Sequence, residues 1–356
     1  VSVVGASGAG KTTVAAALAR RLDVPLVELD ALFHLPGWQS RPEPEFRALV
    51  DRATAGPAWV VDGNYSAVRD LVWARADQVV WLDLPRPVVL AQVLRRSLGR
   101  ALGGTELWNG NREHWRNLLR RDPERNIVRW SWTRHPLYRR RYAEALAAPG
   151  ARHLAALRVR ARSGTAALLA VTPAPGGTAP AFPERRWGRD DLALARLGRR
   201  FVGTPAGSAL ARRLVPWDRR LLAVTGGGRT VLGPFGVPLL LLTTTGRRTG
   251  RPRTTPLVYL SEGDRLLVAA SNFGGPAHPA WSENLVARPR ATVTLAGLEL
   301  PVTAAVLDGP ARERAWSRFE ALGPYGVYRQ RTERTIRVFA LDRAGPGHEG
   351  VPWSSG

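Results

Sequence analysis

The first residues whose types and spacing could do chemistry lie at the start of the chain. Gly5-Ala6-Ser7-Gly8-Ala9-Gly10-Lys11-Thr12 fits the pattern GxxxxGK[ST] in full. Its small residues let successive backbone amides turn inward around phosphate oxygens. A helix beginning at Lys11 would aim its positive end at the same anion. Gly5, Ser7, Gly8 and Gly10 then form the cradle. Lys11 reaches the β- and γ-phosphates, the Thr12 hydroxyl ligates Mg²⁺, and Thr13 follows on the first turn. ATP with Mg²⁺ is the expected ligand. Among 52 cationic side chains, Lys11 is the only lysine. A compact ammonium on a flexible stem is not replaced by a planar guanidinium, so its sole use at this position points the same way.

Two carboxylates stand where neighbouring strands should end: Asp30 after Val-Glu-Leu and Asp62 after Trp-Val-Val. Ligands of open α/β sheets bind at such strand ends. Either residue can hold a Mg²⁺-bound water or a substrate hydroxyl. The assignment taken here gives Asp30 to the metal beside Thr12, and Asp62 to catalysis beside Lys11. Arg95, Arg96 and Arg100, with Arg134, Arg139, Arg140 and Arg141 further on, offer cations that could close over a transferring phosphoryl group.

A second constellation lies beyond the middle of the chain. Thr243 to Arg253 places four arginines among threonines in what reads as a tight hairpin turn, a cradle for a phosphodiester or carboxylate tail. A loop from Ala269 to Trp281 follows, with Gly274-Gly275-Pro276 able to bring bare backbone against a flat ring. Trp281 and Asn284 are three apart at a helix start and could face one ligand. Tyr325 and Tyr328 come from the segment before the last strand. His278 is flanked by Pro279 and an alanine rather than by carboxylates, which favours a structural role.

The elements that position these residues follow two rhythms. In the first half, strands at Val1–Val4, Pro25–Leu29, Ala58–Val61, Gln78–Leu82 and His153–Val159 alternate with helices, the first running from Lys11 to about Leu22. This alternation is the pattern of a parallel sheet covered by helices. Thr172 to Arg189 is rich in Pro and Gly and reads as a linker. Beyond it, Leu239–Thr244, Thr254–Leu260, Arg265–Ala270, Ala291–Leu295, Glu299–Leu307 and Thr335–Leu341 read as strands joined mostly by short turns. A helix, Ala311–Leu322, precedes the last strand. Six such strands suggest a small antiparallel barrel. The division expected is 1–171, a linker over 172–190, 191–345, and a tail over 346–356.

Composition narrows the class. A chain of 356 residues with 44% hydrophobic residues can build two cores. It has no cysteine, which excludes disulfides, thiol catalysis and Cys-ligated metals. The six histidines are scattered, and no metal-ligand spacing is found. No apolar run reaches the roughly 20 residues of a membrane span. With a phosphate loop at residue 5, no leader pattern is expected, and a cytoplasmic location is. The formal charge of +23 is spread evenly, with 26 basic and 15 acidic residues up to 171, and 26 and 14 beyond. Anionic small molecules or nucleic acid are the partners such a charge favours.

Two resemblances join these residues to known families. GASGAGKTT, LDALFHLPGW (Leu29–Trp38), DGNYSAVRD (Asp62–Asp70) and ELWNGNRE (Glu106–Glu113) resemble the P-loop proteins described as DNA topology modulation or adenylate-kinase-like proteins. This implies an α/β kinase-like domain over about 1–171, with an ATP site and an acceptor pocket. TTTGRRTGRPRTTPL (Thr243–Leu257), HPAW (His278–Trp281) with Asn284, ARPRATV (Ala287–Val293) and RTERTI (Arg331–Ile336) resemble the deazaflavin-dependent nitroreductase family. That resemblance covers about 200–343. It implies a split β-barrel and coenzyme F420, a deazaflavin with a phosphate and a glutamate tail.

By the second resemblance, Arg247, Arg248, Thr249 and Arg253 hold the phosphate and tail. Thr255, Pro256, Leu257 and Val258, with Ala270, Ser271 and Asn272, line the ring. Ala280, Trp281 and Asn284 continue that wall, Tyr325 closes the substrate side, and Tyr328 sits one step further out. Where the family often has an aromatic three residues before Tyr325, this chain has Leu322. The implied chemistry is hydride transfer to a nitro, quinone or enone acceptor, with the proton delivered by Tyr325, Ser271 or water. The expectation is thus a two-domain fused enzyme acting on small molecules. The alternative is a nucleic-acid-binding regulator with a degenerate P-loop domain, drawing on the Trp/Arg mixture over Arg129–Arg141. A further reading lays the basic, apolar segment Arg196–Arg220 on a membrane surface.

Overall fold

The computed structural model describes residues 1–103, 127–183, 201, 204–225, 230 and 238–345. Glu106–Glu113, most of the expected linker beyond 183 and the tail over 346–356 lie outside the described residues. The chain divides into two compact units. Val1–Arg160 and Thr172–Ala179 belong to the first. Ala161–Val171 and the described residues beyond 180 belong to the second.

The first unit is built on five parallel strands: β1 (Ser2–Gly5), β2 (Leu26–Glu28), β3 (Val60–Asp62), β4 (Gln78–Leu82) and β5 (Ala155–Val159). Their order across the sheet is β2-β3-β1-β4-β5. β1 is central and buried along its whole length, Ser2 included, as a parallel strand covered on both faces is. Helix α1 (Lys11–Leu22) leaves the end of β1 through the glycine-rich loop, with Val14, Ala15, Leu18 and Ala19 on its buried face. Those residues recur at the three- and four-residue spacing of one helical face. The loop therefore lies at the carboxyl edge of the sheet, beside the ends of β3 and β4.

The second unit is a closed antiparallel β-barrel. Its strands are β6 (Leu239–Thr245), β7 (Pro252–Glu262), β8 (Arg265–Ala269), β9 (Arg290–Leu295), β10 (Leu298–Leu307) and β11 (Val338–Arg343). The pairing runs β11-β8-β7-β6-β9-β10, and β10 returns to β11 to close the ring. Closure removes the unpaired edges that an open sheet would expose. Short hairpins set the register: Leu295 faces Leu298 across Ala296 and Gly297, which both have positive φ as a two-residue hairpin turn of this twist requires. All six strands expected beyond the linker are present. β7 is longer than its apolar alternation suggested, and β11 starts three residues later than Thr335, because Arg334 and its neighbours form an irregular approach to the barrel.

A helix at Ser163–Ala170 belongs to this second unit, where Ser163 Oγ donates to the Ala296 carbonyl at 2.8 Å. Helices at Ala280–Ala287, Gly309–Leu322 and Tyr325–Gln330 are placed against the barrel. Among the described residues, no helix is long and apolar enough to cross a membrane.

Candidate functional site

In the first unit the glycine-rich loop brings together Lys11, Thr12 and Asp62. The Thr12 hydroxyl donates to Asp62 Oδ2 at 2.6 Å. The other oxygen, Asp62 Oδ1, is buried and has no hydrogen-bond partner among the described residues. Burial pushes the Asp62 carboxyl above its ordinary range, and Lys11 and the Thr12 hydrogen bond oppose that rise. Lys11 is half-buried, with Nζ donating to the Ala6 carbonyl at 3.4 Å. Burial pulls its pKa down, while Asp62 and then Asp30 pull it up. An orphaned carboxylate oxygen beside a threonine hydroxyl and an ammonium is a donor set that suits a divalent cation and a phosphate chain.

Asp30 is engaged differently. Tyr65 donates its hydroxyl to Asp30 Oδ1 at 2.7 Å, and the same hydroxyl lies 3.3 Å from His34 Nε2. The structure therefore joins Thr12 to Asp62, while Asp30 faces Tyr65. Strand order is the reason: β3, which ends in Asp62, lies directly beside β1, and β2 is one strand further out.

Asn64, which motif spacing did not single out, anchors the loop. Its side chain accepts from Gly5 N at 3.1 Å and donates to the Gly5 carbonyl. Tyr142 donates to the same Asn64 oxygen at 2.9 Å.

Of the arginines offered as a lid, Arg139 turns inward to Asp83 Oδ2 at 3.0 Å. Asp83 also takes Arg158, which is 2% exposed, and lies near Arg160. Burial would raise this carboxyl, but Arg158, Arg139 and Arg160 outweigh it and hold Asp83 below its usual range. In the Trp/Arg stretch, the Arg86 guanidinium lies 3.4 Å from the centre of the Trp132 ring and covers it. That ring face is not offered to a base. Arg100 and Arg129 have side chains outside the described residues. Among the described residues there is no group of three or more His, Asp or Glu that could hold a metal by itself.

In the second unit the expected cofactor residues converge on the β6–β7 hairpin and the loop after β8. Asn284 fixes the hairpin: it accepts from Arg247 N at 3.0 Å and donates to Thr244 Oγ1 at 3.0 Å. Glu283 pairs with Arg247 at 3.3 Å and with Arg337 at 2.6 Å. The partners of Glu283 lower its pKa, the hydrogen bond from Arg337 contributing most. Arg248 and Arg253 are exposed, as is Thr249 between them. Neither arginine has a carboxylate partner among the described residues. On β7, Thr255, Pro256, Leu257 and Val258 are all half-buried, so this strand lacks the alternation of a wall covered on one side only. Exposed unpaired guanidiniums beside a half-covered strand are a donor set and surface that suit an anionic tail and a flat ring.

Arg334 organises the loop. It donates to the carbonyls of Ser271 at 2.8 Å, Gly275 at 3.0 Å and Ala270 at 3.1 Å. It also lies 3.2 Å from His278 Nδ1, so that ring nitrogen is the acceptor and carries no proton. Burial, then Arg337 and Arg334, lower the His278 pKa. The loop is tightly wound: Asn272 and Phe273 have φ of 49° and 54°, and Asn272 Nδ2 donates to the Ala277 carbonyl at 3.0 Å. Ala270 is fully buried, and Ser271 half-buried.

Three expectations change here. Gly274 does not present open backbone to a ring: a Cβ there would sit 2.9 Å from Arg331 Cβ and 3.0 Å from the Tyr328 carbonyl, so its space is filled by the chain itself. Trp281 packs inward, its ring centre 5.5 Å from that of Phe339, while Ala280 beside it is exposed. Tyr325 opens a short helix and is buried among Trp316, Phe319 and Tyr328, with ring centres 5.1 to 6.0 Å away. Burial raises its phenol pKa, so the hydroxyl stays protonated, and it has no hydrogen-bond partner among the described residues.

A closed six-stranded antiparallel barrel with an arginine-rich hairpin at its rim defines the class of fold. Residues 213–343 match the family model described as F420H(2)-dependent quinone reductase. An F420H(2)-dependent quinone reductase of Mycobacterium tuberculosis is 38% identical over 114 residues, which are 31% of this chain and 76% of that protein. A solved F420-H2 dependent reductase shares 38% identity, covering 30% of this chain and 94% of its own, with a TM-score of 0.28. Through this region the chain belongs to the F420H(2)-dependent quinone reductase family.

Proposed function

We propose that the chain is a fused enzyme in which the barrel reduces a quinone, nitro or enone acceptor at the expense of reduced F420, and the first unit binds ATP with Mg²⁺ in a kinase-like site. The observation that carries the first part is the rim itself: unpaired Arg248 and Arg253 on a hairpin whose shape Asn284 and Glu283 fix. When bound, a reduced deazaflavin supplies hydride; the protein supplies position and charge. Arg247, Arg248, Thr249 and Arg253 would hold its phosphate and tail. Thr255 to Val258, with Ala270, Ser271, Asn272, Ala280 and Trp281, would border the ring, Trp281 from behind. The Tyr325 hydroxyl, kept protonated by burial, would be one donor to the reduced acceptor if that acceptor reaches it, with Ser271 and water as the alternatives. Tyr328 packs against Tyr325 and sets its position.

The ATP part rests on Asp62, whose one oxygen is held by Thr12 and whose other is left without a partner. Thr12 and Asp62 would hold Mg²⁺, directly or through water, and Lys11 would offset phosphate charge. Asp30, tied to Tyr65, stands toward the acceptor. Purified protein should bind oxidised F420 at micromolar concentration and oxidise reduced F420 with a naphthoquinone. Absence of binding refutes the barrel assignment. Lys11→Ala should abolish ATP turnover and leave F420H2 oxidation intact. Undiminished ATP turnover in that variant refutes the assignment of the first unit.

A further inference from the structure

Arg69 opens the helix Arg69–Arg75. Its guanidinium carbon lies 5.7 Å from the centre of the Trp73 ring and 5.6 Å from that of Tyr142. Its Nη2 is buried and donates to nothing among the described residues. The neighbouring arginines differ. Arg47 takes Asp70 at 2.8 Å, and Arg75 takes Asp51 at 2.7 Å. Among the described residues Arg69 has no carboxylate partner, although Asp70 is next to it in sequence. A guanidinium carries five donors in a fixed fork and is suited to carboxylate and phosphate oxygens. Leaving a buried donor of a charged group unpaired is costly, so such a group marks a place where an acceptor comes and goes.

The surroundings say where that acceptor belongs. Arg69 lines a cavity with Gly63, Asn64, Tyr65, Trp73 and Tyr142. Asn64 is the residue that holds Gly5 of the phosphate loop, and Tyr142 is bonded to it. Tyr65 is bonded to Asp30. Asp30 and Asp62 both act on Lys11. The cavity wall thus includes Asn64, which is bonded to the loop, and Tyr65, which is bonded to Asp30, together with Leu29 and Gly63, the chain neighbours of Asp30 and Asp62. Its enclosed part is about 10 Å³, room for about one water molecule. It can take one oxygen of an oxyanion, the rest of the group lying outside it.

We propose that Arg69 binds the oxyanion of the phosphoryl acceptor, so the first unit acts on a small molecule that already carries a phosphate or carboxylate group. This rests on the nucleotide reading of the loop, and the test separates the two. The full chain is first titrated calorimetrically with the ATP analogue AMPPNP and Mg²⁺, which fills the nucleotide site. Inorganic phosphate, and in parallel acetate, are then titrated at millimolar concentration into the loaded protein. The wild type should bind at least one of them, phosphate pointing to a phosphomonoester acceptor and acetate to a carboxylic one. Arg69→Gln should weaken that binding roughly 10- to 100-fold with AMPPNP affinity unchanged, and Arg69→Lys should restore part of it. No anion binding by the loaded wild type, or equal binding by Arg69→Gln, overturns the proposal. If AMPPNP itself does not bind, the nucleotide reading fails and the acceptor role with it. Phosphate titrated into the free protein then shows whether Arg69 is an anion site at all.

Discussion

Removing Arg334 should cost the barrel its cofactor before it costs the barrel its fold. Arg334 serves three carbonyls of the loop after β8, those of Ala270, Ser271 and Gly275. A hydrogen bond from a charged donor contributes roughly 1.5–3 kcal/mol when well buried, and about 1 kcal/mol in ordinary settings. Arg334 is half-buried, so the lower figure applies, and three bonds give about 3 kcal/mol. Against this, Asn272 and Phe273 sit in the left-handed region, at roughly 1–2 kcal/mol each. The loop is therefore held by terms of similar size, and deleting the clamp releases it. A loss of about 3 kcal/mol lowers the population of the competent loop by roughly 100-fold, and the apparent affinity falls by the same factor.

The barrel strands do not depend on this clamp. β8 pairs with β11 from Ala269–Val338 onward, so the change is local. Arg334→Ala should raise the Kd for oxidised F420 about 100-fold, measured by the cofactor's fluorescence. Amides over 270–279 should exchange faster, and the melting temperature should move little. Arg334→Lys keeps the charge but cannot reach three carbonyls, and it should behave almost as badly. An Arg334→Ala protein with unchanged Kd and unchanged exchange over 270–279 would refute the reasoning.

Gly8→Ala would place a Cβ 2.2 Å from Val93 Cγ2, at φ +83°. It should lower stability by about 2–4 kcal/mol from overpacking and backbone strain, read from the urea midpoint. Gly10→Ala has φ +91° but nothing within 4 Å. It should cost only about 1–2 kcal/mol while weakening AMPPNP binding, because its Cβ would enter the space in which the phosphates are proposed to lie. Asp83→Asn removes a carboxylate shared by Arg158, Arg139 and Arg160 and should destabilise the first unit by about 3 kcal/mol. His278 has its pKa lowered in the folded chain from 6.5. The unfolded chain then binds the proton more readily, so its contribution is present above pH 6.5 and is lost as pH falls from there toward the folded value. Cofactor affinity should weaken over that acidic window, and His278→Gln should flatten the dependence.

What could be read from the sequence was local. The glycine-rich loop between β1 and α1 is a short contiguous pattern. The barrel strands are apolar segments whose short turns, such as Ala296-Gly297, set their partners. What could not be read depends on elements far apart in the chain. Arg334 reaches carbonyls about sixty residues earlier, and nothing in the stretch around it marks it apart from fifty other arginines. Thr12 meets Asp62 rather than Asp30 because β3 lies beside β1, which no spacing encodes. Trp281 and Asn284 do share a helical face, as their separation implied, but that face is turned onto the barrel. The signal that could have found Asn64 was its place two residues after Asp62, at the same strand end. The signal for Arg69 was weaker: an arginine beside an aspartate it does not use becomes visible only once Trp73 and Tyr142 are brought around it.

The near-exclusive use of arginine has a physical consequence that charge counting misses. Arg334 spreads one cation over three carbonyls, Arg158 lies 4.3 Å from the centre of the Trp81 ring while bonded to Asp83, and Arg69 sits near two rings. Each use depends on a planar fork that can stack and donate at once. A lysine ammonium has no planar fork with which to do both at once, and at the glycine-rich loop the half-buried Lys11 uses its Nζ to donate to the Ala6 carbonyl. An excess of +23 is therefore not one diffuse field. Part of it is neutralised within clamps such as Arg47–Asp70 and Arg337–Glu283. The unneutralised cations at the proposed sites are Arg69 in its cavity and Arg248 and Arg253 on the rim. Each faces a position where a small anionic ligand is proposed.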